Sequence, residues 1–222
     1  MRQAPRVDAL VAAAVDLVGD RRRVLLGIAG APGAGKSTLA ELLVEGVARM
    51  QGDDWVAHVP MDGFHIADAQ LDRLGLRGRK GAPDTFDTEG YAALLRRLVD
   101  DPESWVYVPG FERTLEQPIA AAKVVPPPAR LVVTEGNYLL LPERRWQQAR
   151  AALAQVWFLT GDDQVRRSRL VERHVTFGKE RDAAAAWVER TDEPNAALVA
   201  AAAGSADRVV LNGSSGWTFV DL

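Results

Sequence analysis

The chain has 222 residues, a formal net charge of −3 and no cysteine. That length buries a core without a metal or a disulfide to staple it, and the missing thiols exclude disulfides and thiolate metal sites, in keeping with a reducing cytoplasm. The mildly acidic balance argues against a general nucleic-acid surface, and no stretch approaches the ~20 uninterrupted apolar residues of a membrane span.

Residues 1–18 place Val7, Leu10, Val11, Ala14 and Val18 on one helical stripe, while Asp8 and Asp16 break any signal-peptide core. An amphipathic docking helix is expected there. The apolar run Val24–Ala29 then leads straight into Gly30-Ala31-Pro32-Gly33-Ala34-Gly35-Lys36-Ser37, which satisfies G-x-x-x-x-G-K-[ST]. Leu39, Leu42, Leu43 and Val47 follow at helical spacing, so the motif has the strand and helix that it requires. Glycines let backbone N–H groups turn inward around phosphate oxygens, and the helix N-terminus adds its dipole. Lys36 is expected on the β and γ phosphates, Ser37 on Mg²⁺, and Thr38 on the loop or the α-phosphate.

Further buried-strand runs fall at Trp55–Val59, Leu131–Thr134, Val156–Leu159 and Val209–Leu211, with helical patterns between most of them. This rhythm predicts an α/β fold of the P-loop NTPase type, a three-layer α/β/α sandwich around a mainly parallel five-stranded sheet. Residues 1–222 read as a single such domain. The segments 75–88, rich in Gly, Pro and Arg, and 108–128, with five prolines, read as excursions outside the sheet that build the acceptor side of a cleft.

Two strands end in acids. Met61-Asp62-Gly63-Phe64-His65 delivers a carboxylate to the sheet edge, where a kinase needs a group to accept the proton of an attacking hydroxyl. Thr134-Glu135-Gly136 brings a second, expected as the direct or second-sphere partner of Mg²⁺; the two acids could exchange these duties. From Asp162 a helix carries Arg166, Arg169 and Arg173 at i, i+3 and i+7, one face of guanidiniums suited to a closing phosphate clamp over roughly 162–182. Arg169 and Arg173 are preferred over Arg166, and a solvated face paired with Glu172 and Asp163 is the competing reading. Arg77, Arg79 and Lys80 would fit a phosphorylated or acidic acceptor, or a solvated loop. His65 and His174 are candidate proton carriers, Tyr138 a candidate acceptor contact, and the six tryptophans read as core or interface. The polar turn Leu211–Gly216 is expected to border adenine. No guanine-specific N-K-x-D element is present, which favours ATP as donor.

Taken together, the phosphate loop, the Met61–Phe64 turn, the segment Arg79-Lys80-Gly81-Ala82-Pro83-Asp84-Thr85-Phe86-Asp87 and the Thr134-Glu135-Gly136 strand end resemble the uridine kinase, phosphoribulokinase and bacterial pantothenate kinase superfamily. Pro60–His65 and Asp192-Glu193-Pro194-Asn195 look most like a bacterial branch labelled "putative fructose transport system kinase" or nucleoside triphosphate hydrolase. The resemblance implies Asp62 as catalytic base, with lid arginines in the region of Arg169 and Arg173. It places Pro83, Phe86 and Asp87 at the acceptor wall, and Phe64, His65, Lys80, Arg113 and Tyr138 complete the expected acceptor set. Phe111-Glu112-Arg113 departs from the Tyr-Asp that many members carry there, so the acceptor stays open among sugars, nucleosides and pantothenate-like alcohols. The expectation is an ATP- and Mg²⁺-dependent kinase of a small hydroxyl compound, with a nucleoside triphosphatase or a nucleotide-binding regulatory module as rivals. Fold-level analogy allows a homodimer.

Overall fold

In a computed structural model the described residues are 7–213 and 216–220. Five strands run parallel: β1 (Val24–Gly30), β2 (Val56–Pro60), β5 (Leu131–Gly136), β6 (Gln155–Gly161) and β7 (Arg208–Gly213). A sixth, β8 (Gly216–Val220), returns antiparallel beside β7, giving the order β2-β5-β1-β6-β7-β8. The parallel core matches the expected five strands; β8 was absent from the sequence reading.

Because successive side chains of a strand face opposite ways, the buried runs feed two separate cores. Leu26, Ile28, Val133, Trp157 and Leu159 point to one face, where α1 (Asp8–Val18) and α2 (Lys36–Gln51) pack with Leu10, Val11, Leu39 and Leu43. Leu25, Ala29, Val132, Val156 and Phe158 point to the other, under α4 (Thr88–Asp100), α5 (Arg144–Arg150) and α8 (Glu193–Ala201). The N-terminal stripe therefore docks as expected from Val7 onward; residues 1–6 lie outside the described residues.

The two excursions take different forms. Short α3 (Asp68–Leu74) leads into the first, which 3-10 turns at Arg77–Arg79 and Pro83–Thr85 fill. The second is an antiparallel hairpin of β3 (Val106–Glu112) and β4 (Gln117–Val125), separate from the main sheet and anchored in the core by Val106, Val108 and Val125. Beyond β6, α6 (Asp163–Thr176), α7 (Arg181–Trp187) and a π turn (Val188–Asp192) lead into α8, so the helical cap runs past residue 182. No helix of the described residues is long and apolar enough to cross a membrane.

Candidate active site

The carboxyl ends of β1, β2 and β5 open into a cleft of about 460 Å³. Such an edge is where open α/β sheets bind ligands. The phosphate loop forms its floor. Gly35 holds φ at 100°, the left-handed region that a side chain disfavours, and this turn aims the first N–H groups of α2 inward. Asn212 at the end of β7 donates to the Ala34 carbonyl at 3.1 Å and ties the loop to the far side of the sheet. Pro32, Gly33 and Gly35–Thr38 line the cleft, whereas Ala31 and Ala34 face a second cavity of about 770 Å³. That cavity is also lined by Gly161, Arg166, Ala196, Ala200, Asn212 and Gly213, so the polar turn borders a space beside the phosphate loop. Ser214 and Ser215 lie outside the described residues. Gly30 ends β1, where a Cβ would lie 2.7 Å from the Leu159 carbonyl oxygen, and backs the loop without lining either space.

Lys36 is buried, its ammonium donating to the Ala31 carbonyl at 3.1 Å, and burial lowers its pKa to about 8. Ser37 donates to Glu135 Oε1 at 3.3 Å. Burial, reinforced by the neighbouring Asp62 charge, pushes Glu135 up to about 7. A buried carboxylate and a hydroxyl side by side are hard oxygen donors of the kind Mg²⁺ prefers, so these residues fit the ion.

Asp62 sits on the 3-10 turn Met61–Phe64 that ends β2. Burial works against its charge, but the surrounding cations outweigh burial and hold the carboxyl below its ordinary range. Arg113 donates to its Oδ2 at 2.6 Å. His65, with Nε2 4.0 Å from Oδ1, is itself lowered to about 4 by burial, so near neutrality the positive field comes from Arg113, Lys36 and Arg173.

The expected acceptor residues divide. His65, Lys80, Phe86 and Arg113 line the cleft, as do the lid's Arg169 and Arg173. Four others do not, and each has a structural task. Asp87 caps α4, accepting from the Gly90 N–H at 2.9 Å. Pro83 starts the 3-10 turn before it. Phe64 packs on Tyr91 with ring centroids 5.0 Å apart. Tyr138 is fully buried against Phe86 and Trp146, its hydroxyl donating to the Gly81 carbonyl. Arg166, third of the helix-face arginines, is buried and bonds Asp163, Glu193 and the Pro32 carbonyl, bracing the phosphate loop from behind. Arg79 turns to Asp84 at 3.0 Å, away from the cleft.

Several cleft residues escaped the sequence reading. Asp68 opens α3 and binds Lys80 and Arg77, and Glu116 projects from the hairpin turn. Trp187 and Asn195 enter from the cap, as does Asp192, which accepts from His174 Nε2 at 2.9 Å. Only the Asp192–Asn195 run carried a signal, as part of the family likeness.

No family model matches the chain. A Schizosaccharomyces pombe protein named "putative uridine kinase" is 35% identical over 192 residues, covering 83% of this chain and 80% of that protein. The crystal structure of a "putative fructose transport system kinase" from Silicibacter sp. TM1040 superposes with a TM-score of 0.81 at 35% identity, covering 89% of this chain and 95% of its own. YFH7 of Saccharomyces cerevisiae, described as "a putative P-loop containing kinase with a circular permutation", shares the fold at TM-score 0.78 and 20% identity, over 93% of this chain and 98% of its own. The chain belongs to the P-loop kinase superfamily.

Proposed function

We propose that the protein is an ATP- and Mg²⁺-dependent kinase that moves the γ-phosphoryl group to a hydroxyl of a small metabolite. The observation that carries this reading is the position of Asp62: an ionised carboxylate in one cleft with Lys36 and Ser37, under a wall built by the hairpin and the cap. A hydrolase with water as acceptor has no need of that wall.

Lys36 meets the β and γ phosphates as a point charge, and Arg169 and Arg173 reach the transferring group from α6. Ser37 and Glu135 would hold Mg²⁺, which when bound neutralises charge on the phosphate oxygens. Asp62 accepts a hydrogen bond from the acceptor hydroxyl and fixes its lone pair toward phosphorus; the proton passes to Asp62 as the oxygen–phosphorus bond forms, and ADP leaves. A carboxylate held below its usual pKa is a weak base, so its main contribution is orientation, with proton transfer late. Closure of α6 over the loop excludes competing water.

The test is Mg²⁺-dependent ADP release across uridine, cytidine, pantothenate, fructose and other sugars, and ribulose 5-phosphate, with Asp62→Asn alongside. Acceptor-stimulated turnover that is lost in Asp62→Asn supports the kinase. Acceptor-independent release that survives the substitution favours a triphosphatase, and tight ATP binding without turnover favours a regulatory module.

A further inference from the structure

We propose that the acceptor is an uncharged polyhydroxylated molecule, such as a free sugar, polyol or nucleoside, and that phosphorylated and carboxylated compounds are excluded. The inference rests on the kinase reading above and concerns the far end of the same cleft.

The two ends of the cleft treat their cations differently. At the donor end Lys36 meets only the Ala31 carbonyl, and neither Arg169 nor Arg173 makes an ion pair among the described residues. Those three charges await a triphosphate. At the acceptor end every cation is already neutralised or covered. Asp68 takes Lys80 on Oδ1 at 2.6 Å and Arg77 on Oδ2 at 2.8 Å, so both carboxylate oxygens and both cations are committed. Lys80 also donates to the Glu116 carbonyl. Arg113 is held by Asp62 and lies over the Phe111 ring, 5.0 Å from its centroid. On the cap, the Lys179 ammonium lies 4.8 Å from the centre of the Trp187 ring.

An anionic acceptor would have to displace carboxylates from these cations while facing the further carboxylates of Glu116 and Asp192. Hydroxyl groups face no such conflict. They donate to carboxylate oxygens and accept from guanidinium and amide N–H groups without breaking the existing pairs. Phe86 and Phe111 add apolar surface to the lining, which suits the C–H surface of a sugar ring or a base. The Arg77–Lys80 cluster, which by sequence fits a phosphorylated acceptor, is thus disarmed by Asp68, twelve residues before Lys80.

Two experiments decide the matter. The first compares matched pairs as acceptors with Mg²⁺ and ATP: uridine with uridine 5′-phosphate, fructose with fructose 6-phosphate, ribulose with ribulose 5-phosphate, and pantetheine with pantothenate. The expected result is turnover of an uncharged member with kcat/KM at least 100-fold above its anionic partner. Preference for an anionic member overturns the inference and leaves the kinase reading intact; acceptor-independent release that persists in Asp62→Asn removes both. The second needs no turnover. With a non-hydrolysable ATP analogue filling the donor end, inorganic phosphate is titrated calorimetrically. The wild type should show no saturable binding below 10 mM, on the order of the weakest affinities that method reads, and Asp68→Asn, which frees Lys80 and leaves Arg77 only its 3.6 Å approach to Asp72, should bind at least tenfold tighter. Phosphate binding by the wild type that Lys80→Gln abolishes, or no gain in Asp68→Asn, overturns the inference.

Discussion

Replacing Gly63 by alanine tests how finely Asp62 is placed. A Cβ built at Gly63 would lie 2.5 Å from the Pro109 carbonyl oxygen and 2.7 Å from its carbon, against an ordinary contact of 3.4 Å or more. Both atoms are backbone of β3, so no side chain can swing aside. The turn and the hairpin must therefore separate by about 0.9 Å, the difference between 3.4 and 2.5 Å. Asp62 precedes Gly63, and its partner Arg113 follows β3, so the shift falls on the 2.6 Å contact between them. A displacement near 1 Å at a reacting group costs about 100-fold in rate, while overpacking of this kind costs about 1–3 kcal/mol of stability. Steady-state kinetics with whichever acceptor the panel yields should show kcat down by about 100-fold with ATP affinity within threefold of wild type, because the phosphate loop stands on a different strand. Thermal unfolding should still be cooperative. A variant with unchanged kcat and unchanged melting temperature would refute the reasoning, since it would mean that the turn and hairpin separate without moving the carboxylate.

Burial lowers Lys36 to about 8, so a proton must be taken up on ATP binding above that pH; affinity measured at pH 9 should be about tenfold weaker than at pH 7, and flat in Lys36→Arg. Glu135 has its folded pKa raised from 4.5 to about 7, so between those values the native chain holds a proton that the unfolded chain releases, and stability falls as pH rises through that window. Glu135→Gln should remove the loss and stabilise the ligand-free protein at pH 8 by about 1–3 kcal/mol, less than the full shift because Lys36 loses a compensating charge; urea melts at pH 5 and pH 8 check it. Glu193→Gln strips Arg166 of one carboxylate behind the loop, and ATP affinity should drop about five- to tenfold with the acceptor KM unchanged, as read by nucleotide titration. Arg173→Ala should lower kcat by at least tenfold with little effect on ATP affinity if α6 acts on the transferring group, which single-turnover kinetics separate.

What the sequence shows of this site follows how local each signal is. The phosphate loop, Asp62 and Glu135 are fixed by neighbours in the chain: a buried strand ends, a turn begins, and the residue at the turn lies at the sheet edge. The acceptor wall is less local. Asp87 shares a segment with Phe86, yet the Gly90 N–H three residues on claims its carboxylate as a helix cap, while Phe86 turns into the cleft. The pairing of Asp68 with Lys80 crosses a helix and a 3-10 turn, and no spacing rule announces it. β8 escaped because five residues after a polar turn give too short an alternation to separate from a tail, though Trp217 is buried and Phe219 packs edge-on against Trp157, ring centroids 4.9 Å apart.

The helix arginines show the same limit in one element. Positions i, i+3 and i+7 do share a face, as the periodicity states, but a helix rises about 1.5 Å per residue, so Arg166 and Arg173 stand about 10 Å apart along the axis. One end of that face reaches Pro32 and Glu193 behind the phosphate loop; the other reaches the charges of Asp62 and Arg113. Periodicity supplies the direction in which a side chain points, and the packing of α6 against Gly33 supplies what lies at that depth. A single face therefore braces the loop at its first arginine and faces the cleft at its last. Substitutions along it should consequently separate into losses of nucleotide affinity at Arg166 and losses of turnover at Arg173.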